Sequence, residues 1–231
     1  MLFFRNFHFS SIGTKVWMAL TGLIIFGFVI GHMAGNLQVF AGQETYNAYA
    51  HFLKHTPLLL WGTRVVLLAS VIIHITTAIT LTLANRAARP IAYTKKSWRK
   101  ASFASRTMMY SGSVVLAFII YHLAHFTLGL TNPEHFQLVD AAGRQDVYSM
   151  FVLGFQKPVV AMFYAIANIL LGLHLNHGAS SMFQTLGFNH PKYQPFIDKI
   201  GPVTSTMIVL GNLSMPLAVQ LGFITLPLGV A

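Results

Sequence analysis

The chain has 231 residues, of which 55% are hydrophobic and only 9% charged, and its net charge is +10. A soluble domain carries about 25% charged residues, so this composition excludes a water-facing globular surface and predicts an integral membrane protein. The absence of cysteine excludes disulfides and a cysteine-held iron–sulfur cluster within the chain. Most of the positive excess lies in one loop, which indicates membrane topology rather than binding to nucleic acid.

Five apolar segments follow one another along the chain. They predict helices at about residues 15–40, 57–86, 102–130, 157–186 and 202–228. Each exceeds the roughly 20 residues that a helix needs to cross a hydrocarbon core. We therefore expect a single domain over residues 1–231, an all-α membrane protein whose first four helices form a bundle. We see no internal repeat.

The loop after the second segment sets the predicted topology. It has six cations and no acid, namely Arg86, Arg89, Lys95, Lys96, Arg99 and Lys100. By the positive-inside rule this loop and the N-terminus are cytoplasmic, and the C-terminus lies outside. All five acids fall in loops, which argues against a transporter or pump built on an intramembrane carboxylate.

Four of the five segments contain a histidine near mid-membrane, where a titratable ring is costly unless it has a function. With this topology His32 and His122 lie about 12 Å from the outer ends of their helices, and His74 and His174 about 18 Å from the inner ends. The four therefore predict two pairs at two depths, about 9 Å apart vertically.

A bis-histidine haem b needs two imidazoles from different helices at one depth, and helix bundles commonly hold such cofactors. Two haems, one held by His32 and His122 and the other by His74 and His174, would carry electrons across the bilayer. Two other interpretations of the histidines stay open. Each histidine could be a hydrogen-bonded packing residue, or together they could line the path of a metal-ion transporter.

Weaker candidates surround these four. His125 and His177 each follow a candidate ligand by three residues, and we expect them behind the ligands. Candidates for contact with haem propionates or a quinone are Asn36, Gln38 and Arg64 at the outer side and Ser11, Lys15 and Arg106 at the inner side. The cations among them could equally be snorkelling interface residues.

The sequence resembles a known family. The residues that carry the likeness are "GHMAGNLQVF", "WGTRVVLLASVIIH", "ASRTMMYSG" with "YHLAHFTLG", and "LGLHLNHGASSMFQTLG". They resemble the diheme cytochrome b subunit of succinate:quinone oxidoreductases (succinate dehydrogenase and fumarate reductase), the five-helix cytochrome b558 family. The likeness covers nearly the whole chain.

The resemblance implies two b haems with axial ligands His32, His74, His122 and His174. It also implies a quinone in the membrane, typically menaquinone, and two partners, a flavoprotein that handles succinate and an iron–sulfur protein at the cytoplasmic face of a bacterial inner membrane. The basic second loop would face the docked partner. The chain would transfer electrons and would not act on succinate alone.

Two points qualify the resemblance. Some diheme relatives carry a glutamate two residues before the ligand of the fourth helix, proposed for proton transfer, whereas this chain has Gly172 there. The haem b subunits of hydrogenases or formate dehydrogenases also use histidine pairs on helices, so they remain an alternative that co-purifying partners would distinguish.

Overall fold

The computed structural model describes residues 10–88, 91, 101–188 and 190–227. These residues form helices, and five of the helices are long and apolar enough to cross a membrane. The spanning helices are α1 (Ser11–Asn36, extended by a 3-10 turn Leu37–Ala41), α3 (Pro57–Ala87), α5 (Met108–His122, continued by a π-helical turn Leu123–Thr127), α8 (Pro158–Thr185) and α9 (Gln194–Gln220). The shorter helices are α2 (Gln43–Lys54), α4 (Phe103–Arg106), α6 (Pro133–Phe136) and α7 (Val147–Gln156). The predicted all-α membrane fold is confirmed at this level.

Local sequence explains where the spanning helices begin. Ser10 caps α1 by accepting a hydrogen bond from the Gly13 amide at 3.0 Å. The helices α3 and α8 instead begin with Pro57 and Pro158, whose missing N–H lies where no helical partner exists anyway.

The predicted bounds of the fifth helix were wrong. The helix begins at Gln194 rather than at residue 202 and ends at Gln220 rather than at residue 228. Pro202 suggested a helix start, but both Pro202 and Pro216 lie inside α9. Neighbouring helices can compensate for the backbone bonds that a proline removes within a membrane bundle. The third segment also differs, because a break at Thr107 separates α4 from α5.

The two loops predicted on the outer side contain helices α2 and α7, which a buried polar network joins. Asp146 caps α7 and is 1% exposed. Its carboxylate accepts hydrogen bonds from Gln43 at 2.8 Å, from Asn47 at 2.9 Å and from the Ser149 amide at 3.0 Å. Burial opposes ionisation of Asp146, but these bonds outweigh it and its pKa is lowered. The network holds the two loops together.

A second set of contacts joins the same loops near their surface. Arg144 donates to both carboxylate oxygens of Glu44, at 3.0 and 2.6 Å, and to Asp140 at 2.8 Å. The hydrogen bond from Arg144 lowers the pKa of Glu44. Because Glu44 is exposed, this pair contributes less than the buried Asp146 contacts.

The chain contains an internal repeat, contrary to the expectation from sequence. Residues 18–34 and 108–124 match at a spacing of 90. Thr21 and Ser111 share a hydroxyl, and the identical pairs are Met18/Met108, Gly22/Gly112, Phe28/Phe118, Ile30/Ile120, His32/His122 and Ala34/Ala124. After this match, each half continues with an Ala-Gly pair, a short helix (α2 or α7) and a spanning helix that begins with proline (α3 or α8). Both glycines, Gly42 and Gly143, have positive φ, at 92° and 74°. The connection from α5 to Gly143 is longer than the connection from α1 to Gly42. The parts of the two halves that follow these glycines therefore no longer match at a spacing of 90, which conceals the repeat.

Helix α8 lies at the centre of the bundle. It packs against α1, α5 and α9, while α3 packs against α1. One core cluster, which includes Val39, Phe151 and Val152, fills the half of the bundle around α7, and a smaller one around Ala179 lies towards the other end. The basic loop lies outside the described residues for positions 89, 90 and 92–100, and so does His8.

Candidate functional site

The predicted outer histidines lie side by side. The ring centres of His32 on α1 and His122 on α5 are 5.6 Å apart, with the planes at 86°. Phe28 stacks on His32 at 5.2 Å and Phe118 lies 5.7 Å from His122. These two phenylalanines occupy matching positions of the repeat, so each half supplies one histidine and one aromatic support.

The predicted inner histidines also meet. The ring centres of His74 on α3 and His174 on α8 are 6.4 Å apart, with the planes at 64°. Small residues of the neighbouring helices make room for them. A Cβ on Gly22 would lie 3.4 Å from Cε1 of His74, and one on Gly112 would lie 3.3 Å from Cε1 of His174.

The Nδ1 atom of each inner histidine contacts the spanning helix that precedes it in the chain, α1 for His74 and α5 for His174. The Nδ1 atom of His74 lies 3.2 Å from the Met18 carbonyl and 3.3 Å from Thr21 Oγ1. The Nδ1 atom of His174 lies 3.2 Å from Ser111 Oγ. The contacts of Thr21 and Ser111 match because these residues occupy the same position of the repeat.

These contacts determine where each ring carries its proton. The Thr21 hydroxyl donates to the Trp17 carbonyl at 2.8 Å and the Ser111 hydroxyl donates to the Met108 carbonyl at 3.2 Å. The Met18 carbonyl can only accept, so Nδ1 of His74 donates to it and the lone pair of the neutral His74 ring lies on Nε2. While the Ser111 hydroxyl donates to the Met108 carbonyl, it accepts from Nδ1–H of His174 and leaves the lone pair of that ring on Nε2 as well. A histidine that binds a metal commonly donates its other nitrogen in this way.

The spacing of both pairs would allow two imidazoles to bind one iron between them. With metal–nitrogen bonds of about 2 Å and ring centres about 1 Å behind each nitrogen, trans imidazoles place their ring centres about 6 Å apart. The observed 5.6 and 6.4 Å bracket this value. A haem needs only two protein ligands, because the porphyrin supplies the rest. Within the described part of the chain there is no group of three or more His, Asp or Glu that could hold a bare metal ion.

An apolar groove of about 630 Å³ lies near the outer pair, between α1 and α3. Its lining includes Phe28, which stacks on His32, together with Ile24, Thr56, Leu58, Leu59, Gly62, Thr63, Val66 and Leu67. This volume falls within the about 300–1,000 Å³ of typical ligand sites, and an apolar lining suits a porphyrin face or an isoprenoid tail.

The two histidine levels are farther apart than the predicted 9 Å. His74 contacts α1 at Thr21, and His32 lies eleven residues further along that helix. His174 contacts α5 at Ser111, again eleven residues before His122. Eleven residues rise about 16 Å. The prediction assumed helices of equal length, whereas α3 has 31 residues and α5 only 15 before its π-helical turn.

Comparisons with protein-family models, curated proteins and solved structures give no match for this chain. Its function is therefore argued from the geometry of the histidine pairs and from the residues that surround them.

The two following histidines do not join the pairs. His125 is 2% exposed and its ring stacks on Phe126 at 4.0 Å. It points towards α7, where a Cβ on Gly154 would lie 3.0 Å from Nε2. His177 is half-buried on α8, one turn beyond His174.

The polar candidates at the outer side have partners of their own. Asn36 donates to the His32 carbonyl at 2.8 Å and accepts from the Tyr46 hydroxyl at 2.6 Å, so it links the end of α1 to α2. Arg64 is exposed and lies 5.0 Å from the Trp61 ring centre. Gln38 is half-buried in the 3-10 turn after α1.

The inner candidates lie near helix starts. Ser11 and Lys15 are exposed in the first turns of α1. Arg106 is exposed at the end of α4, and its Nε donates to the Ser102 carbonyl at 3.3 Å. Within the described part of the chain, Ser11 and Lys15 form no side-chain hydrogen bond with either histidine pair.

Gly172 serves packing. A Cβ at Gly172 would overlap a side-chain methyl of Val209 on α9, so a glutamate there would require the Val209 side chain or α9 to shift. Two other glycines, Gly27 and Gly31, have no heavy atom within 4 Å of an added Cβ. The described helices therefore do not pack closely on α1 at these two glycines.

Sequence reasoning missed the groups that hold the rings, above all Thr21, Ser111 and Tyr164. The signal was present in the eleven-residue spacing between a hydroxyl residue and a histidine on both α1 and α5. Tyr164 gave no such signal, because its partner is reached only through the packing of α5 on α8.

Proposed function

We propose that this chain is the diheme cytochrome b subunit that anchors a succinate:quinone oxidoreductase in the membrane. It would transfer electrons between an iron–sulfur subunit and a quinone, with menaquinone as the expected type. The observation that carries the proposal is the pairing of four intramembrane histidines into two sets, with ring centres 5.6 and 6.4 Å apart.

In this proposal His32 and His122 hold one haem and His74 and His174 hold the other. Haem supplies a reversible one-electron carrier when bound. The chain's own contribution is orientation. Thr21, Met18 and Ser111 keep the inner rings turned so that Nε2 remains the free nitrogen. The two levels are about 16 Å apart along the helix axes, so electrons could pass from one to the other across the bundle.

Quinone contact is proposed at the ends of the bundle. The outer candidates are Asn36, Gln38 and Arg64, and the inner ones are Ser11, Lys15 and Arg106. Asn36 is the candidate nearest in sequence to a ligand, but both its amide groups are already hydrogen-bonded. A quinone carbonyl can only accept, so it would bind the second hydrogen of Asn36 Nδ2, which the His32 carbonyl leaves unused.

The partners are proposed from the family resemblance and from charge. The basic loop of residues 86–100 is suited to an acidic protein surface at the cytoplasmic face, where the iron–sulfur subunit would dock next to the flavoprotein. The bacterial inner membrane and the cytoplasmic N-terminus belong to the same proposal.

Purification of the tagged chain from its native membrane tests this function. We expect two b-type haems per chain, a flavoprotein and an iron–sulfur protein in the same complex. A molybdenum or nickel protein in place of the flavoprotein would favour the formate dehydrogenase or hydrogenase alternative. A complex without haem would contradict the proposal altogether.

A further inference from the structure

A tyrosine joins two histidines in the outer half of the bundle. The hydroxyl of Tyr164 on α8 lies 3.3 Å from Nδ1 of His122 and 3.1 Å from Nδ1 of His125. Tyr164 is 4% exposed and His125 is 2% exposed, so water cannot easily replace either contact. The proposed function assigns no role to these two residues.

A phenol has a single proton, which restricts how these three groups can be hydrogen-bonded. The hydroxyl can donate to one imidazole nitrogen while it accepts from the other. If His122 binds iron through Nε2, its Nδ1 carries a proton and donates to Tyr164. Tyr164 must then donate to His125, whose own proton lies on Nε2. The opposite direction would protonate Nε2 of His122 and remove its lone pair.

The fold holds His125 in this position from several sides. The π-helical turn Leu123–Thr127 contains it. Phe126 stacks on its ring, and Gly154 of α7 leaves just enough room for its Nε2 edge. π-Helical turns inside helices frequently occur at functional sites. His125 is thus held with Nδ1 towards Tyr164 and with its Nε2 edge towards Gly154.

The arrangement exists in only one half of the repeat. In the first half of the repeat, Gly35 occupies the position that matches His125, three residues after the paired histidine. Thr63 occupies the position that matches Tyr164, six residues after the proline that begins the next spanning helix. A Cβ at Gly35 would meet the Tyr49 ring instead. The relay is therefore a specific addition to His122 and not a feature that the repeat imposes.

We propose that Tyr164 and His125 form a hydrogen-bond relay that fixes the Nδ1 proton of His122 and lowers the redox potential of the outer haem. The inference rests on the proposed function. A hydrogen bond from the second nitrogen makes an imidazole a stronger donor to its metal, which favours oxidised iron. Because Tyr164 itself donates to His125, it accepts more strongly from His122. Tyr164 and His125 are positioning residues in this account.

Tyr164→Phe removes the hydroxyl and keeps the ring. We expect both haems to remain and the outer haem alone to become easier to reduce, with about a fivefold higher ratio of reduced to oxidised form at the wild-type midpoint. The inner haem is the internal reference. Ser111→Ala is the matched control, because it removes the hydroxyl behind His174 and should shift the inner haem only. Low-spin electron paramagnetic resonance of the oxidised protein gives an independent readout of the His122 ring.

Two His125 variants keep the test decisive if Tyr164→Phe loses haem. His125→Leu removes the acceptor for the Tyr164 hydroxyl and should raise the potential of the outer haem, but by less than Tyr164→Phe does. His125→Gln retains an acceptor and should give a potential closer to that of the wild type. Equal outer potentials and spectra in wild type, Tyr164→Phe and His125→Leu would overturn the relay. So would equal shifts in His125→Leu and His125→Gln. If the wild-type chain itself binds no haem, the proposed function fails, which is a distinct result.

Discussion

The imidazole rings of His74 and His174 lie with their centres 6.4 Å apart, although a hundred residues separate them in the chain. Each ring is held at Nδ1 by a hydroxyl on the preceding spanning helix, Thr21 for one and Ser111 for the other. Both rings are thus held at Nδ1 by residues outside the pair, and Nε2 of each ring is the nitrogen that could bind a metal.

This pairing predicts which histidines share a haem. His74→Ala and His174→Ala should each abolish the same haem, whereas His32→Ala and His122→Ala should each abolish the other. Haem per chain and the reduced-minus-oxidised spectrum of the four purified variants check this. His177→Ala is the control on the same helix and should retain both haems. Loss of a haem in His177→Ala with retention in His174→Ala would show that the ligand is misassigned.

The hydroxyl contacts predict a graded effect on the inner haem. Ser111→Ala should raise its midpoint potential by about 40 mV, the one-electron equivalent of a fivefold change. Thr21→Val should raise it less, because the Met18 carbonyl still accepts from His74. Redox titration of both variants measures this order. A larger shift in Thr21→Val than in Ser111→Ala would contradict the assigned hydrogen bonds.

The contact between α8 and α9 predicts a stability difference between two glycines. A Cβ at Gly201 would overlap the Asn176 carbonyl, and backbone cannot move aside cheaply. Gly201→Ala should therefore lower the free energy of unfolding by about 1–3 kcal/mol. Gly178→Ala is the matched control on α8, where an added Cβ meets no heavy atom within 4 Å. Thermal unfolding in detergent should separate the two variants, and equal transitions would contradict the close packing.

The buried carboxylate of Asp146 predicts a loss of stability in acid. Its pKa is lowered in the folded protein, because hydrogen bonds to the carboxylate outweigh burial. Its contribution is therefore complete above the unfolded value of about 3.9 and disappears as the pH falls through the folded pKa. Asp146→Asn should lower the free energy of unfolding at pH 7 by about 2 kcal/mol and flatten its acid dependence.

Thermal unfolding at pH 7 and at about pH 2.5, below the unfolded pKa, measures both effects. Asp198→Asn is the control, because Asp198 is exposed and its hydrogen-bond partner is Gln194 on its own helix. Identical behaviour of the Asp146 and Asp198 variants would rule out a structural role for the network between the two loops.

The spanning helices could be predicted because long apolar runs leave few alternatives. The pairing of histidines by depth also followed from one number, the rise per residue. The position of α9 could not be predicted in this way. In the sequence, Pro202 looks like the start of a helix, but α9 begins eight residues earlier and runs through Pro202. The close contact of Gly201 with the Asn176 backbone of α8, which the sequence does not reveal, lies in this part of α9.

The groups behind the rings were harder to predict. Tyr164 contacts His122 and His125 from a different helix, and no local sequence pattern predicts such a contact. Asp146 and Asn47 were predicted only as loop residues, yet they are buried because two short helices, α2 and α7, fold over each other. Contacts between distant segments of this kind depend on the tertiary arrangement.

A stepwise redox titration of the purified wild-type chain, with haem content measured on the same sample, tests the central claim most directly. The account predicts two b-type haems per chain that titrate at separate potentials, with the first reduction step altered only in variants of one histidine pair and the second only in variants of the other. A chain that binds no haem, or a single haem unaffected by His74→Ala or His174→Ala, would contradict it.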